Sequence, residues 1–317
     1  NAKYREWWRS FINEDYSVLN TNMNGCDGCA PINAGATLTG SNDFYGWNGR
    51  KPYHSVNFIT VHDGFTMYDL FSYDHKNNGC GLLNPVCCEA PLSVWCDTES
   101  GDSHNRSRDW CNEFGYGALC EPFKRQLMRN MFTAMMISHG SPLILGGDEW
   151  MRTKYGNNNS YYIQADNEWN WFRWGEWRSD TNLYRTRMHD FVRDIIQFRK
   201  DRAYAFAPQE AGGGMPFYWK NPSNNDMSDG DWGSRSLMMH YTDDSSEYKD
   251  LLIMINMDRS DVDFTLPTGR SWGLVVDTQH HWDDAHLAEM DIAETSISHN
   301  IHLENPEEVS SSYTVKG

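Results

Sequence analysis

The feature that most narrows the fold is a pair of short apolar runs, each closed by acids, with a buried-helix pattern between them. Ser55-Val56-Asn57-Phe58-Ile59-Thr60-Val61 is β-branched and apolar and runs into His62-Asp63-Gly64, as a buried parallel strand does where it meets its loop. Pro142-Leu143-Ile144-Leu145-Gly146-Gly147 is a second such run and ends in Asp148-Glu149. Between them Phe123, Leu127, Met131 and Met135 share a helical face with Met128, Phe132 and Met136 beside it, and Gly140 follows at a C′ position. Strand, helix, strand with polar strand ends is the grammar of a parallel α/β fold. A further helical stripe of Met188, Phe191, Val192, Ile195 and Phe198 follows, with Thr181 as its cap.

Upstream, Tyr4, Trp7, Trp8, Phe11 and Ile12 recur at helical spacing almost from the first residue. No initiator Met or leader precedes them, and Ser311 to Gly317 reads as a strand cut short, so the sequence is expected to be a fragment at both ends. Residues 13–54 are rich in Asn, Gly and Asp and predict loop with one short helix or turn. Residues 74–120 form a long polar, Cys-bearing stretch, which compact domains keep for a functional or bridging reason.

Beyond Ala205 the pattern changes. Gly212-Gly213-Gly214 marks a joint, and short alternating runs follow at Ser236 to Tyr241, Leu251 to Asn256, Val262 to Leu266, Trp272 to Asp277 and Ser296 to Leu303. Strands without intervening helices predict an antiparallel β-sandwich. The expected division is 1–205 and 206–317.

Composition limits the partners. With 27 Lys+Arg against 44 Asp+Glu the net charge is −17, which argues against nucleic acid or an anionic membrane. No apolar run reaches the roughly 18 to 20 residues of a bilayer span. The 14 Trp, 16 Tyr and 14 Phe give far more large apolar surface than a disordered chain carries.

Acids and imidazole at strand ends mark the opening of an α/β active site, where loops converge. His62-Asp63 either lines that opening, with Asp63 binding hydroxyls or stabilising positive charge, or caps the following turn. Asp148 and Glu149 diverge in direction, so at most one faces the opening. The segment from Gly156-Asn157-Asn158-Asn159 to Asn170-Trp171 mixes amides, acids and aromatics. It is either a carbohydrate groove, with rings stacking on sugar faces, or an Asn-rich surface loop with tucked Trp residues. Cys26, Cys29, Cys80, Cys87, Cys88, Cys96, Cys111 and Cys120 all fall in predicted loops, favouring disulfides over half a zinc site at Cys26-x-x-Cys29. Asn105-Arg106-Ser107 and Asn158-Asn159-Ser160 match the glycosylation tripeptide. Phosphate loops, dinucleotide fingerprints, nucleophile elbows and EF-hand spacing are absent, and no cofactor or metal is expected.

The ordered series Ser55 to Thr66, Gly146-Gly147-Asp148-Glu149, Arg152-Thr153 and Gly156 to Asn159, with Phe198-Arg199-Lys200 and Val275-Val276-Asp277-Thr278 downstream, resembles isoamylase-type debranching enzymes of the α-amylase superfamily. The resemblance implies the C-terminal part of a (β/α)8 TIM barrel followed by the β-sandwich. It implies retaining hydrolysis of α-1,6 branch points in glycogen, amylopectin or a branched maltooligosaccharide. Asp63 would be the third catalytic carboxylate, at the end of the seventh strand, and His62 would bind the sugar beside the scissile bond. Asp148, Arg152, Asn157, Asn158 and Asn159 are assigned to substrate binding after the eighth strand. The family's nucleophilic Asp and general-acid Glu lie on the fourth and fifth strands, and this sequence is expected to begin after both. The last sandwich strand is also expected to lie outside it. The remainder of the barrel is therefore an expected partner, and this chain alone is expected to be inactive. The alternatives are a non-catalytic α-glucan-binding protein on a truncated barrel and a transglycosylase. Loop cysteines point to an extracellular setting, whereas a glycogen-storage role would be cytoplasmic.

Overall fold

The computed structural model describes residues 1–15, 17–21, 33–78, 101–113, 115–116, 120–160, 170–177, 183–243, 248–279, 301 and 306–317. The first helix, α1 (Ala2–Asn13), starts on Asn1, whose side chain accepts the Tyr4 N–H at 3.1 Å. Its apolar stripe is buried as the spacing predicts, with Trp7 stacked on Phe11 at 4.6 Å between ring centroids. The following loop holds α2 (Ala34–Leu38), capped by Asn33, α3 (Asn42–Tyr45) and two 3-10 turns at Gly46–Asn48 and Pro52–His54, more helical turns than the one the composition suggested.

Strands β1 (Val56–Asn57) and β2 (Ser141–Pro142) pair in parallel, Val56 opposite Ser141. Between them lie α4 (Met67–Leu70), α5 (Trp110–Glu113) and α6 (Cys120–Ile137), and α7 (Trp174–Trp177), α8 (Leu183–Asp201) and α9 (Ala203–Phe206) follow. Both apolar runs are longer than the ladder they form. Past Asn57, whose carbonyl accepts Leu143 N–H at 2.8 Å, the chain leaves the ladder. The Ile59 carbonyl is then taken by Arg9 Nε at 2.9 Å and the Thr60 hydroxyl by Asp148. Side chains therefore replace a neighbouring strand as hydrogen-bond partners.

Gly140 holds φ +122°, and a Cβ there would lie 2.7 Å from the Ser55 carbonyl. Its role is thus close approach of β2 to β1 rather than helix capping alone. The end of α6 is closed instead by Arg199 of α8. That guanidinium donates to the carbonyls of Met136 (2.5 Å), Ser138 (2.8 Å), Gly140 (2.6 Å) and Phe206 (3.0 Å). A cation here satisfies orphan carbonyls and complements the helix dipole.

Beyond α9 come β3 (Phe217–Lys220), β4 (Ser236–Tyr241) and β5 (Leu251–Asn256), an antiparallel sheet in the order β3-β4-β5. Then β6 (Val262–Thr265), β7 (Trp272–Leu274), β8 (Glu307–Val309) and β9 (Ser312–Val315) form two antiparallel pairs, β6 with β9 and β7 with β8. The terminal run is thus a paired strand. The expected strand over Ser296 to Leu303 lies largely outside the described residues, although Ile301 bridges Val276. Strand β3 escaped the sequence reading because Phe217, Tyr218 and Trp219 are aromatic without alternation.

One core joins the helices to the first sheet. Met131, Phe132 and Met135 of α6 share it with Phe191 and Ile195 of α8 and with Leu237, Met239 and Tyr241 of β4. Phe206 meets Tyr241 edge-on at 5.7 Å. Met238 is buried on the opposite face of β4, which explains the strand's near-continuous apolar character.

Candidate functional site

Two loops leave the C-terminal ends of β1 and β2, and a buried carboxylate ties them together. Asp148, on a single 3-10 turn after Gly147, is 0% exposed. One of its oxygens accepts the Thr60 hydroxyl, and the other accepts the Met67 N–H at 3.0 Å. Burial pushes this carboxyl up to about 7, partly opposed by those two hydrogen bonds, with the Glu149 charge adding to the rise. The turn itself packs on α8, with Trp150 stacked on His189 at 4.4 Å.

The bend between Thr60 and Met67 carries His62 and Asp63, both exposed, at the mouth of these loops. Gly64 turns the chain back with φ +127°. Its N–H donates to the Asn158 carbonyl at 2.9 Å, and its own carbonyl accepts from Lys154 Nζ at 3.1 Å. A second buried carboxylate, Asp69 of α4, holds the β2 loop from below. It accepts the Thr153 hydroxyl at 2.5 Å and the Lys154 N–H at 2.7 Å. Burial raises the Asp69 carboxyl and lowers the Lys154 ammonium to about 8, the latter with help from the Arg152 charge.

The sequence-predicted residues separate into two depths. His62 and Asp63 face solvent, and Arg152 is half-buried, its guanidinium donating to the Asn170 carbonyl at 3.2 Å. Asp148 and Asn158 lie beneath them. Asn158 exchanges bonds with Asn78, accepting at 2.9 Å and donating its N–H at 3.0 Å, and its amide donates to Asp102 O at 2.7 Å and Asn105 Oδ1 at 3.0 Å. It braces the long polar excursion against the β2 loop. Asn157 is buried and accepts the Asn159 N–H at 2.9 Å, which leaves Asn159 nearer the surface. Both glycosylation tripeptides thus have their acceptor amides buried and bonded to one another, closed to an oligosaccharide in the folded chain.

Sequence reasoning missed Thr60, Asp69, Thr153 and Lys154 as parts of this assembly. No periodic signal marks Asp69 or Lys154 in the sequence. Cys111 and Cys120 form a disulfide beside Glu121, and with their sulfurs joined this close group offers no thiolate to a metal. The other six cysteines lie outside the described residues, as do Thr181 and residues 161–169 of the aromatic and amide-rich segment.

No family model matches the chain. The isoamylase of Flavobacterium sp is 32% identical over 285 residues, 87% of this chain and 34% of that relative. Isoamylase SU1, chloroplastic, of Zea mays is 31% identical over 283 residues, 88% of this chain and 31% of the relative. Pullulanase from Bacillus acidopullulyticus superposes with a TM-score of 0.55 and 16% identity, over 100% of this chain and 29% of that one. The type I pullulanase of Bacillus subtilis str. 168 complexed with maltose gives a TM-score of 0.52 and 16% identity, over 100% of this chain and 34% of that one. Likeness at that identity speaks for the fold alone. The chain spans about a third of the length of the curated relatives it matches. Over that span, the chain belongs to the isoamylase-type debranching enzyme family of the α-amylase superfamily.

Proposed function

We propose that the chain is the C-terminal portion of a glycoside hydrolase that cleaves α-1,6 branch points of glycogen or starch with retention. In this reading residues 1–205 supply the last strands and helices of a (β/α)8 barrel and residues 206–317 supply a β-sandwich. The observation that carries it is the exposed Asp63, set on a bend whose two ends are pinned by one buried carboxylate.

Retaining hydrolysis places two carboxyl groups about 5 to 5.5 Å apart across the scissile bond, one as nucleophile and one as general acid. Asp63 takes neither role. As an exposed carboxylate at the strand end it accepts substrate hydroxyls and stabilises the oxocarbenium-like charge that develops in the transition state. His62 donates a hydrogen bond to the same sugar. Arg152, Asn157 and Asn159 form the wall of the groove, while Asp148 and Asn158 hold that wall and the Asp63 bend in register. The nucleophile and the general acid come from the part of the protein outside the present sequence, so that this chain alone does not turn over substrate. The maltose held by one structural neighbour supports an α-glucan as the ligand class.

The test is the intact native protein incubated with glycogen and amylopectin, followed by reducing-end release and the chain-length distribution of the products. Release of linear chains with loss of branch points is the expected result. Glucan binding without new reducing ends would transfer the reading to a non-catalytic glucan-binding protein. Branch transfer without net reducing-end gain would make it a transglycosylase.

A further inference from the structure

We propose that Lys154 is a positioning residue for Asp63, acting through the Gly64 carbonyl and through its own positive charge. The inference rests on the reading of Asp63 as the transition-state carboxylate.

The bend that presents Asp63 is held at four points. Thr60 and Met67 are fixed by Asp148 at its two ends, and the Gly64 peptide groups are fixed from the β2 loop, N–H by the Asn158 carbonyl and C=O by Lys154 Nζ. The last bond is the one adjacent to Asp63 that a side chain supplies. Gly64 sits at φ +127°, a conformation open to glycine and rare for other residues, so the chain reverses directly after Asp63. Release of its carbonyl frees the pivot on which the Asp63 side chain turns. A catalytic group must stay within about 0.5 Å of its productive position, which makes such a pivot decisive.

Lys154 is itself built in. It is 4% exposed, and its backbone N–H and the neighbouring Thr153 hydroxyl both end on the buried Asp69 carboxylate. A buried ammonium is an unfavourable way to satisfy one carbonyl, since a neutral amide would do so without the desolvation penalty. The charged groups facing it are Arg152, Asp69, Asp148 and Asp63. Asp63 is the exposed one among those carboxylates. The ammonium and the Asp63 side chain attract each other. Burial brings Lys154 down to about 8, so its charge is lost under mildly alkaline conditions while the Gly64 bond is retained by the neutral amine.

The experiment uses the intact protein with a branched glucan and measures kcat, KM, the pH profile from 6 to 10 and the thermal midpoint for wild type, K154M, K154Q, K154R and D63N. K154M is expected to lose about 10- to 100-fold in kcat at pH 6.5 with KM within about twofold. K154Q, which keeps a donor for Gly64 without charge, is expected to stay folded, to recover part of kcat and to lose the activity step near pH 8. K154R keeps the charge and is expected to extend activity above that step. Wild-type kcat and an unchanged pH profile in K154Q and K154M would overturn the inference, as would a loss in K154M that follows its thermal midpoint alone. If D63N is inactive while the Lys154 variants behave as wild type, this inference fails and the assignment of Asp63 stands. If D63N keeps full activity, both fail.

Discussion

The two ends of the β1–β2 pair are made from different materials. At the end where the strands begin, hydrogen bonds run between neutral side chains and carbonyls. Ser55 donates to Asn57 Oδ1 at 2.7 Å, Asn57 Nδ2 to the His139 carbonyl at 2.9 Å, and His139 Nε2 lies 3.1 Å from the Tyr241 hydroxyl. Arg199 there is saturated by four carbonyls, and the Asn1 ammonium donates to the Val56 carbonyl at 2.7 Å. Past the other end, Asp63, Asp69, Asp148, Arg152 and Lys154 crowd the two loops and α4, and burial shifts four of them, Asp69, Asp148, Arg152 and Lys154, toward their neutral forms. Neutral, closed bonding holds a fold together, and buried charge near an opening is unstable chemistry kept for use. In the proposed reading, stability and reactivity fall at opposite ends of the same strands.

The largest break between the ends is expected from D63N. In the role proposed for Asp63, loss of the carboxylate is expected to lower kcat about 10³-fold, about 4 kcal/mol, with kinetics on a branched glucan as the check. Its exposed position keeps stability within about 0.5 kcal/mol. At the closed end, R199A leaves several buried carbonyls without their donor and is expected to destabilise by about 3 to 5 kcal/mol, read as a shift in urea midpoint. Its kcat per folded molecule stays near that of the parent.

D148A tests the tie between the two loops. It strands the Thr60 hydroxyl and the Met67 N–H in the interior and is expected to cost about 2 to 3 kcal/mol in denaturant unfolding. D148N can serve both partners without a charge, so it is expected to be near neutral at pH 5 and stabilising at pH 8.

The smallest effect sharpens the comparison by sign. Asp148 is raised to about 7 in the fold, so the native state holds a proton that the unfolded chain has lost, and its contribution falls as pH rises from about 4 to 7. Burial lowers His139 to about 4, so the unfolded chain binds the extra proton, and its contribution rises as pH goes from about 4 to 6.5. The two slopes oppose each other in the parent. Thermal midpoints of D148N are therefore expected to climb between pH 4.5 and 6.5, and those of H139Q to fall over the same range.

The sequence made the frame readable because its signals are periodic. The apolar stripes of α1, α6 and α8 and the short apolar run of β4 are local patterns, and all four elements stand where those patterns put them. Asp63 stood out as an acid closing an apolar run, although β1 itself ends at Asn57 and Asp63 lies on the bend beyond it. The depth of Asp148 was not, because adjacent Asp148 and Glu149 look alike until the Thr60 hydroxyl, 88 residues away, claims one of them. Lys154 and Asp69 were hidden for the same reason: 85 residues separate the partners of their 2.7 Å bond, and no spacing rule reaches that far. Lengths of β1 and β2 were overread because an apolar run does not say whether a strand or an arginine completes the backbone bonds.

One measurement tests the separation directly: kcat on a branched glucan and the thermal midpoint, taken on the same preparations of the intact D63N and R199A proteins. The account predicts that D63N loses about 10³-fold in kcat at an unchanged midpoint, while R199A loses about 8 °C or more at near-parent kcat. An active D63N, or an R199A enzyme whose kcat falls while its midpoint holds, would contradict it.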